Sequence, residues 1–482
     1  MKNLTLIVSL LAFITTSCSG TLPVSNQIPV IGQSTTSPSE ARLGFPPTRE
    51  VYEPGELVDY VAQSGDTLPS LASHFNTSVD EIRAANPIIP LDATTMPAGL
   101  PMKMPIYYLP LWGTSHQIIP DSHFVYGPVS LKKDIGKVIT NGWLNNYREP
   151  RPEGNLTSQQ IITQVSQHFS VSPMVLVLFI EGLYEGTTNT TTPDTEYLFG
   201  YNNPNNKGVY MQLVWLANEL NNGYYGWRGG TLKEFEFPDG HIERPDPWQN
   251  AGTVGIQYAL SKIVDYDTYQ YLVNEGGFST TYSNLFGDPW ADASIHIEGS
   301  LQQPPMALPF SAGKVWNYTG GPHTGWGEGQ PFAAIDFAPS GVKGCSNAED
   351  WVTAVADGVI VRTGTGEVWL DLDRDGLEQT GWVIFYLHLS NIGQLKAGQK
   401  VVTGQNLGFP SCEGGTSTGT HVHIARKYNG EWILADSVLP FNMDGWIVRN
   451  GSQAYKGSLV RNSLVVTASS KAEGFSAIEA DQ

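Results

Sequence analysis

The spacing of apolar positions changes along this chain, and each change marks a different kind of unit. Near residue 57 a short alternating stretch runs into Gly65-Asp66-Thr67, where Asp66 or Thr67 can cap a helix carrying Leu68, Leu71 and Phe75. A second helix is expected from Ser78, with Ile82 on its inner face, stopping at Asn86-Pro87 before a strand that holds Met102 and Met104. From about 155 to 300 the period becomes helical. "SQQIITQVSQHF" sets Ile161, Val165 and Phe169 four residues apart. "SPMVLVLFIEGLY" opens with Ser172 as N-cap and Pro173 as first helical residue, and its apolar interior predicts a buried helix. "YMQLVWLANELNNGYYGW" and "NAGTVGIQYALSKI" predict two more. From about 305 the period shortens to two: Val352, Val355, Val359 and Val361, then Val383, Phe385 and Leu387, alternate between glycine-rich breaks and predict an antiparallel sheet.

The expected fold class is therefore multidomain: a small α/β module at 57–107, a mostly α unit at 155–300 and an all-β antiparallel unit at 305–450. A Ser/Thr/Pro/Gly-rich flexible linker at 19–50 and a C-terminal tail at 451–482 complete the chain. Its 482 residues suffice for several cores. The formal charge of −19, with no basic patch, sets nucleic acid aside as a partner.

The chain begins "MKNLTLIVSLLAFITTSC". Lys2 precedes an apolar run, Leu4 to Ile14, too short to span a bilayer as a mature helix, and residues 1–18 read as a bacterial export signal. Cys18, after small residues, stands where bacterial lipoproteins carry their lipidated cysteine, although Thr15 replaces the usual Leu. Membrane anchoring through Cys18 and plain secretion both remain open, and both lead to the cell envelope or beyond it. Cys345 and Cys412, the other two cysteines, are a disulfide candidate in an exported chain. The competing reading pairs Cys412 with His421 as nucleophile and base.

Two of the ten histidines, His421 and His423, stand one residue apart in "GTHVHIA". On a strand both face the same side, while Val422 and Ile424 fill the other. Two imidazoles there can bind one metal, or one can bind while its neighbour works beside it. "LDLDRDGLEQTGW" places Asp371, Asp373, Asp375 and Gly376 as in the first half of an EF-hand loop, which makes calcium a second cofactor candidate. Trp382 stands where the closing Glu belongs, so an acidic hairpin tip competes with that reading.

Three stretches resemble known families. "YVAQSGDTLPSLASHFNTSVDEIRAANPIIP" with "AGLPMKMPIYYLP" resembles the LysM module. That resemblance implies N-acetylglucosamine recognition in a groove between Gly65, Asp66, Thr67 and Leu68 on one loop and Asn86, Pro87 and Ile88 on the other. The buried helix after "HFSVSP" is similar to the lysozyme-like fold of lytic transglycosylases, which keep a general-acid Glu in an apolar setting. Counted from Pro173, that Glu falls near Leu183, so Glu181 and Glu185 each miss by two residues and a degenerate middle domain is expected.

"AAIDFAPS", "VTAVADGVIVRTG", "GWVIFYLHLS", "LKAGQKVVTGQNLGF" and "TSTGTHVHIA", in that order, resemble the lysostaphin-type (LytM-like) zinc metallopeptidases. His323, thirteen residues before Asp336, resembles the longer spacing of their beta-lytic and staphylolysin-like branch. The resemblance implies Zn2+ on His323, Asp336 and His423, with His421 and His388 holding and deprotonating the attacking water. Together the resemblances imply an envelope-targeted zinc endopeptidase acting on peptidoglycan. Two alternatives stand beside it. One is a glycan-strand hydrolase built on Glu181 or Glu185; the other is a non-catalytic wall-binding scaffold or amidase activator.

Overall fold

The first strand–helix–helix–strand module forms where the apolar pattern puts it. Strand β1 (Glu56–Val61) is followed by helices α1 (Leu68–His74) and α2 (Val79–Ala85) and by β2 (Pro101–Ile106), which pairs antiparallel with β1. Thr67 caps α1: its hydroxyl accepts the Ser70 N–H, and the Ser70 hydroxyl accepts the Thr67 N–H in return. Ser78 and Glu81 make the same reciprocal pair at α2. Each cap contributes on the order of 1 kcal/mol. Asp66 has another task, accepting from the Tyr60 hydroxyl and the Gln63 N–H. The computed structural model describes residues 51–481, so the export signal, Cys18 and the 19–50 linker lie outside the described residues. Everything from Tyr52 onward clusters as one unit.

The helical part contains α3 (Ser158–Phe169), α4 (Pro173–Tyr184), α5 (Val209–Arg228), α6 (Ala251–Ile263), α7 (Tyr266–Leu272) and α8 (Phe278–Phe286), preceded by short helical turns from Asp121 onward. Ser172 caps α4 by accepting the Met174 N–H, and Pro173 to Ile180 are all buried. The helix ends at Glu185, whose φ of 50° is left-handed. Helices α5 and α6 touch at Gly223, where a Cβ would stand 2.5 Å from the Tyr258 Cβ and 2.9 Å from the Gly255 Cα. Glycine is what permits that approach. Among the described residues, no helix is long and apolar enough to cross a membrane.

The C-terminal part is built on β3 (Val315–His323), β4 (Ala334–Pro339), β5 (Gly358–Gly364), β6 (Glu367–Asp371), β7 (Trp382–Leu387), β8 (Lys400–Val401), β9 (Val422–Tyr428) and β10 (Ala477–Glu479). Their order across the sheet is β8-β5-β6-β7-β9-β4-β3-β10, antiparallel at every pairing, with a short strand Glu431–Trp432 added to β9. Residues 451–482, expected as a tail, instead supply β10 at the sheet edge and the strands Gly457–Arg461 and Leu464–Thr467 of a second, four-stranded sheet. The helical part packs on one face of the main sheet: Trp369, Phe385, Ala425 and Trp432 share a core with its helices. Ile384, Tyr386, Val422 and Ile424 fill a separate core on the other face.

Candidate metal centre

Three neighbouring strands bring the site together. His423 on β9 is paired in register with Asp336 on β4 and, on its other side, with Leu387 on β7, one residue before His388. His323 closes β3, opposite Ala334. The period of two then aims His421 and His423 the same way, so one register fixes most of the cluster.

His323 Nε2 lies 3.0 Å from His423 Nδ1 and 3.3 Å from Asp336 Oδ1, and His423 Nδ1 lies 3.4 Å from the same oxygen. Among the described residues these three form the one group of three or more His, Cys, Asp or Glu side chains close enough to share an ion. Asp336 Oδ1 is buried and has no hydrogen-bond partner. The far nitrogen of each imidazole faces a backbone carbonyl: His323 Nδ1 to Gly321 O at 2.8 Å, and His423 Nε2 to Gly325 O at 3.1 Å. A carbonyl only accepts, so those nitrogens carry the protons and the inner nitrogens present lone pairs. Three acceptors facing one another in a buried place require positive charge between them. Zinc–ligand bonds of about 2.0–2.1 Å in a tetrahedron separate neighbouring donors by about 3.3 Å. The donor set and its spacings fit zinc.

The cluster draws positive charge, whether a proton or an ion. Burial alone would push the Asp336 carboxyl up, but charge on its imidazole neighbours, His323 first, holds it well below the usual carboxylate range, and the carboxylate in turn outweighs burial and raises His323. Burial, and then the charge of His421, push His388 down to about 4. His421 Nε2 stands 3.7 Å from Asp336 Oδ1, outside the three-donor group, while its Nδ1 donates to Gly419 O at 2.7 Å. His388 Nδ1 donates to Glu413 O at 2.7 Å, and the two rings sit 4.5 Å apart. His421, with a side chain 16% exposed, is the open edge of a site whose other members are buried.

Sequence reasoning missed two neighbours. Gly320, in register with Asp336, leaves room for its carboxylate: a Cβ would stand 2.2 Å from Oδ2. Tyr455 stacks on His323, with ring centroids 4.1 Å apart. Gly320 could have been suspected as a glycine inside a strand; nothing in the sequence flags Tyr455.

Cys345 and Cys412 are bonded, with Cα atoms 5.7 Å apart, so Cys412 is not the free nucleophile of the Cys412–His421 reading. The aspartates expected to cradle calcium do not form an ion-sharing group. Asp371 accepts N–H groups of Asp373, Arg374 and Gly376, Asp373 accepts from Trp382, and Asp375 from Leu377. They tie a turn. Glu181 is held by Thr187 and Thr188, and Glu185 forms the helix cap.

Of the expected glycan contacts, Asp66, Leu68 and Asn86 are buried, and Thr67 caps α1. Asn86 Nδ2 donates to the Ile82 and Lys103 carbonyls while its Oδ1 accepts the Lys103 N–H. Gly65 abuts the Arg228 guanidinium, with which a Cβ would clash at 2.5 Å. Pro87 and Ile88 are exposed.

Family models match three stretches: the LysM domain at 60–99, the LasA N-terminal domain at 117–301 and peptidase family M23 at 338–434. Protease LasA of Pseudomonas aeruginosa is 30% identical over 245 residues, covering 47% of this chain and 56% of that protein. The beta-lytic metalloendopeptidase of Lysobacter enzymogenes is 31% identical over 135 residues, covering 26% of this chain and 71% of that protein. The chain belongs to peptidase family M23. Among solved structures, the M23 metalloprotease pseudoalterin, from the deep sea, is 30% identical and matches 34% of this chain and 96% of its own, with a TM-score of 0.29. The chain spans 56% of the length of the LasA relative it matches. The M23 match takes in His388, His421 and His423 but begins after Asp336, so the placing of His323 and Asp336 rests on the geometry above.

Proposed function

We propose that this chain is a zinc-dependent endopeptidase that hydrolyses peptide cross-links or stem peptides of peptidoglycan. The observation that carries the reading is the convergence of lone pairs from His323, Asp336 and His423, each imidazole oriented by a carbonyl behind it. Zinc held there supplies Lewis-acid polarisation of the scissile carbonyl and makes water a better nucleophile at neutral pH.

The chain's own groups do the rest. His421 and His388 each keep Nδ1 protonated against a carbonyl, so each offers an unprotonated Nε2 that can take a proton from the attacking water. Burial keeps His388 neutral at pH 7 and ready for that role. Once protonated, the same Nε2–H becomes a donor, first to the developing oxyanion and then to the leaving amine. His421, at the exposed edge, meets substrate first. The LysM module then holds the enzyme on the wall's glycan, and the export signal read in the sequence brings it to the envelope, anchored through Cys18 or secreted.

Digestion of purified peptidoglycan followed by mass spectrometry tests the reading. Split cross-links with newly freed amino groups are expected. New reducing sugar ends, or an intact wall, would overturn it.

A further inference from the structure

The loop joining β3 to β4 carries the carbonyl that orients one of the three donors: Gly325 O faces His423 Nε2 at 3.1 Å and accepts its proton. Two contacts fix that peptide group. The Gly325 N–H donates to Pro331 O at 2.9 Å across the neck of the loop. On the other side, the Trp326 ring lies between His168 of α3, stacked at 4.5 Å, and Phe385 of β7, 5.6 Å away between centroids.

Beyond the neck the chain runs Gly327-Glu328-Gly329-Gln330, and both glycines are left-handed, with φ of 81° and 80°. A stretch with so much backbone freedom keeps one conformation only if something holds it. The holders come from α5. Asn218 Oδ1 accepts the Glu328 N–H and Asn222 Oδ1 accepts the Gln330 N–H, each at 2.8 Å. Four residues apart, the two amides share one face of the helix. The glycines admit them: a Cβ at Gly327 would stand 2.4 Å from Asn218 Oδ1, and one at Gly329 would stand 2.1 Å from Asn222 Oδ1. Asparagine favours caps and turns over helix interiors, yet both of these sit in mid-helix, where the loop is what they serve.

We propose that Asn218 and Asn222 are positioning residues for the metal centre, and that the helical part thereby completes the set of groups that orient His423. Without the two acceptors the loop tip is free and the Gly325 carbonyl loses its fixed direction. The His423 imidazole is then no longer held in the orientation and tautomer that present Nδ1 to the other donors. The inference rests on the zinc reading above. It goes beyond that reading by making a region outside the M23 match contribute to the site's affinity for metal.

The zinc affinity of the full chain, measured by competition with a chromophoric chelator, tests it. Groups that orient a metal ligand from behind contribute about 10–100-fold to affinity. Asn218→Leu combined with Asn222→Leu keeps much of the side-chain volume but removes both acceptors, and should weaken zinc binding on the order of tenfold. Asn218→Asp retains an acceptor oxygen and should bind zinc as the parent does. Ser170→Ala separates positioning from interface stability. It removes the hydrogen bond from the Ser170 hydroxyl to Gly430 O, elsewhere between the helical part and the sheet, and should lower the melting temperature without moving zinc affinity. A thermal melt checks that the double variant folds, and Asn218→Leu alone carries the test if it does not. Parent-like affinity in the Leu variants, or an equal loss in Ser170→Ala, overturns this inference and leaves the metal reading intact. A parent chain that binds no zinc overturns both.

Discussion

Replacing His421 and His423 in turn separates the two imidazoles that one strand face carries. His423 Nδ1 sits 3.0 Å from His323 Nε2 and 3.4 Å from Asp336 Oδ1, close to the edge length of a zinc tetrahedron, and its removal leaves the proposed site two donors. His421 Nε2 approaches Asp336 Oδ1 no closer than 3.7 Å, and its Nδ1 is fixed by Gly419 O. His423→Ala should therefore bind zinc substoichiometrically after dialysis and lose activity, as should Asp336→Ala and His323→Ala. His421→Ala should keep one zinc per chain while its rate falls. A positioned general base contributes about 10²–10⁴-fold, or about 3–5 kcal/mol of barrier. Metal analysis and kcat/KM on a soluble cross-link peptide read the two effects independently. Zinc loss in His421→Ala, or a rate within about threefold of the parent, would refute this division of labour.

Other outcomes follow from single contacts. Gly320→Ala should lower zinc content, because the new methyl claims the space of the Asp336 carboxylate; metal analysis reads it directly. Replacing Cys345 and Cys412 with Ser opens a 67-residue loop and should cost about 4 kcal/mol of stability on the chain-entropy estimate, measured by thermal or denaturant unfolding. His74, stacked on Trp227, is pushed down to about 3 by burial. The unfolded chain therefore takes that proton first, near pH 6.5. The stabilising contribution is complete above that pH and lost as pH falls toward 3, up to about 4 kcal/mol, and His74→Gln should flatten this limb of the melting profile. Glu181→Gln and Glu185→Gln should digest wall as the parent does; clear loss of sugar-end products in either, with zinc still bound, would make the helical part a second active site.

What could be read from the sequence was what a local period or cap controls. Thr67, Ser78 and Ser172 start helices because their hydroxyls answer N–H groups within three residues. His421 and His423 share a face because strands alternate. The 451–482 strands escaped because Leu464 and Val465 are 55% and 60% exposed, so their stretch lacks the alternation of a half-buried strand. The aspartate turn is ambiguous in sequence for a physical reason: carboxylates spaced by two residues serve backbone N–H groups as readily as a cation. Tyr455 and Gly320 matter only through partners that the fold brings from elsewhere.

The largest thing the sequence withheld is how the three matched regions are joined. Glu431, on the short strand beside β9, accepts from the Tyr224 hydroxyl at 2.6 Å, Arg228 at 2.9 Å and His296 at 2.7 Å, while Arg228 also reaches Asp121. Burial would raise the Glu431 carboxyl, but Arg228 and His296 outweigh it and hold it at about 2. Removing one member of such a buried cluster leaves uncompensated charge, typically at a cost of about 3–5 kcal/mol. The Arg228 guanidinium also lies against Gly65, and Trp248 packs edge-on to Phe75 in the first module's core, 5.1 Å between centroids. One ion cluster thus touches the LysM module, the helical part and the strand that pairs with the far end of β9, the strand carrying His423. A chain of loosely tethered modules would have no reason to bury these charges together. The arrangement makes the geometry of the metal centre depend on residues far from it in sequence.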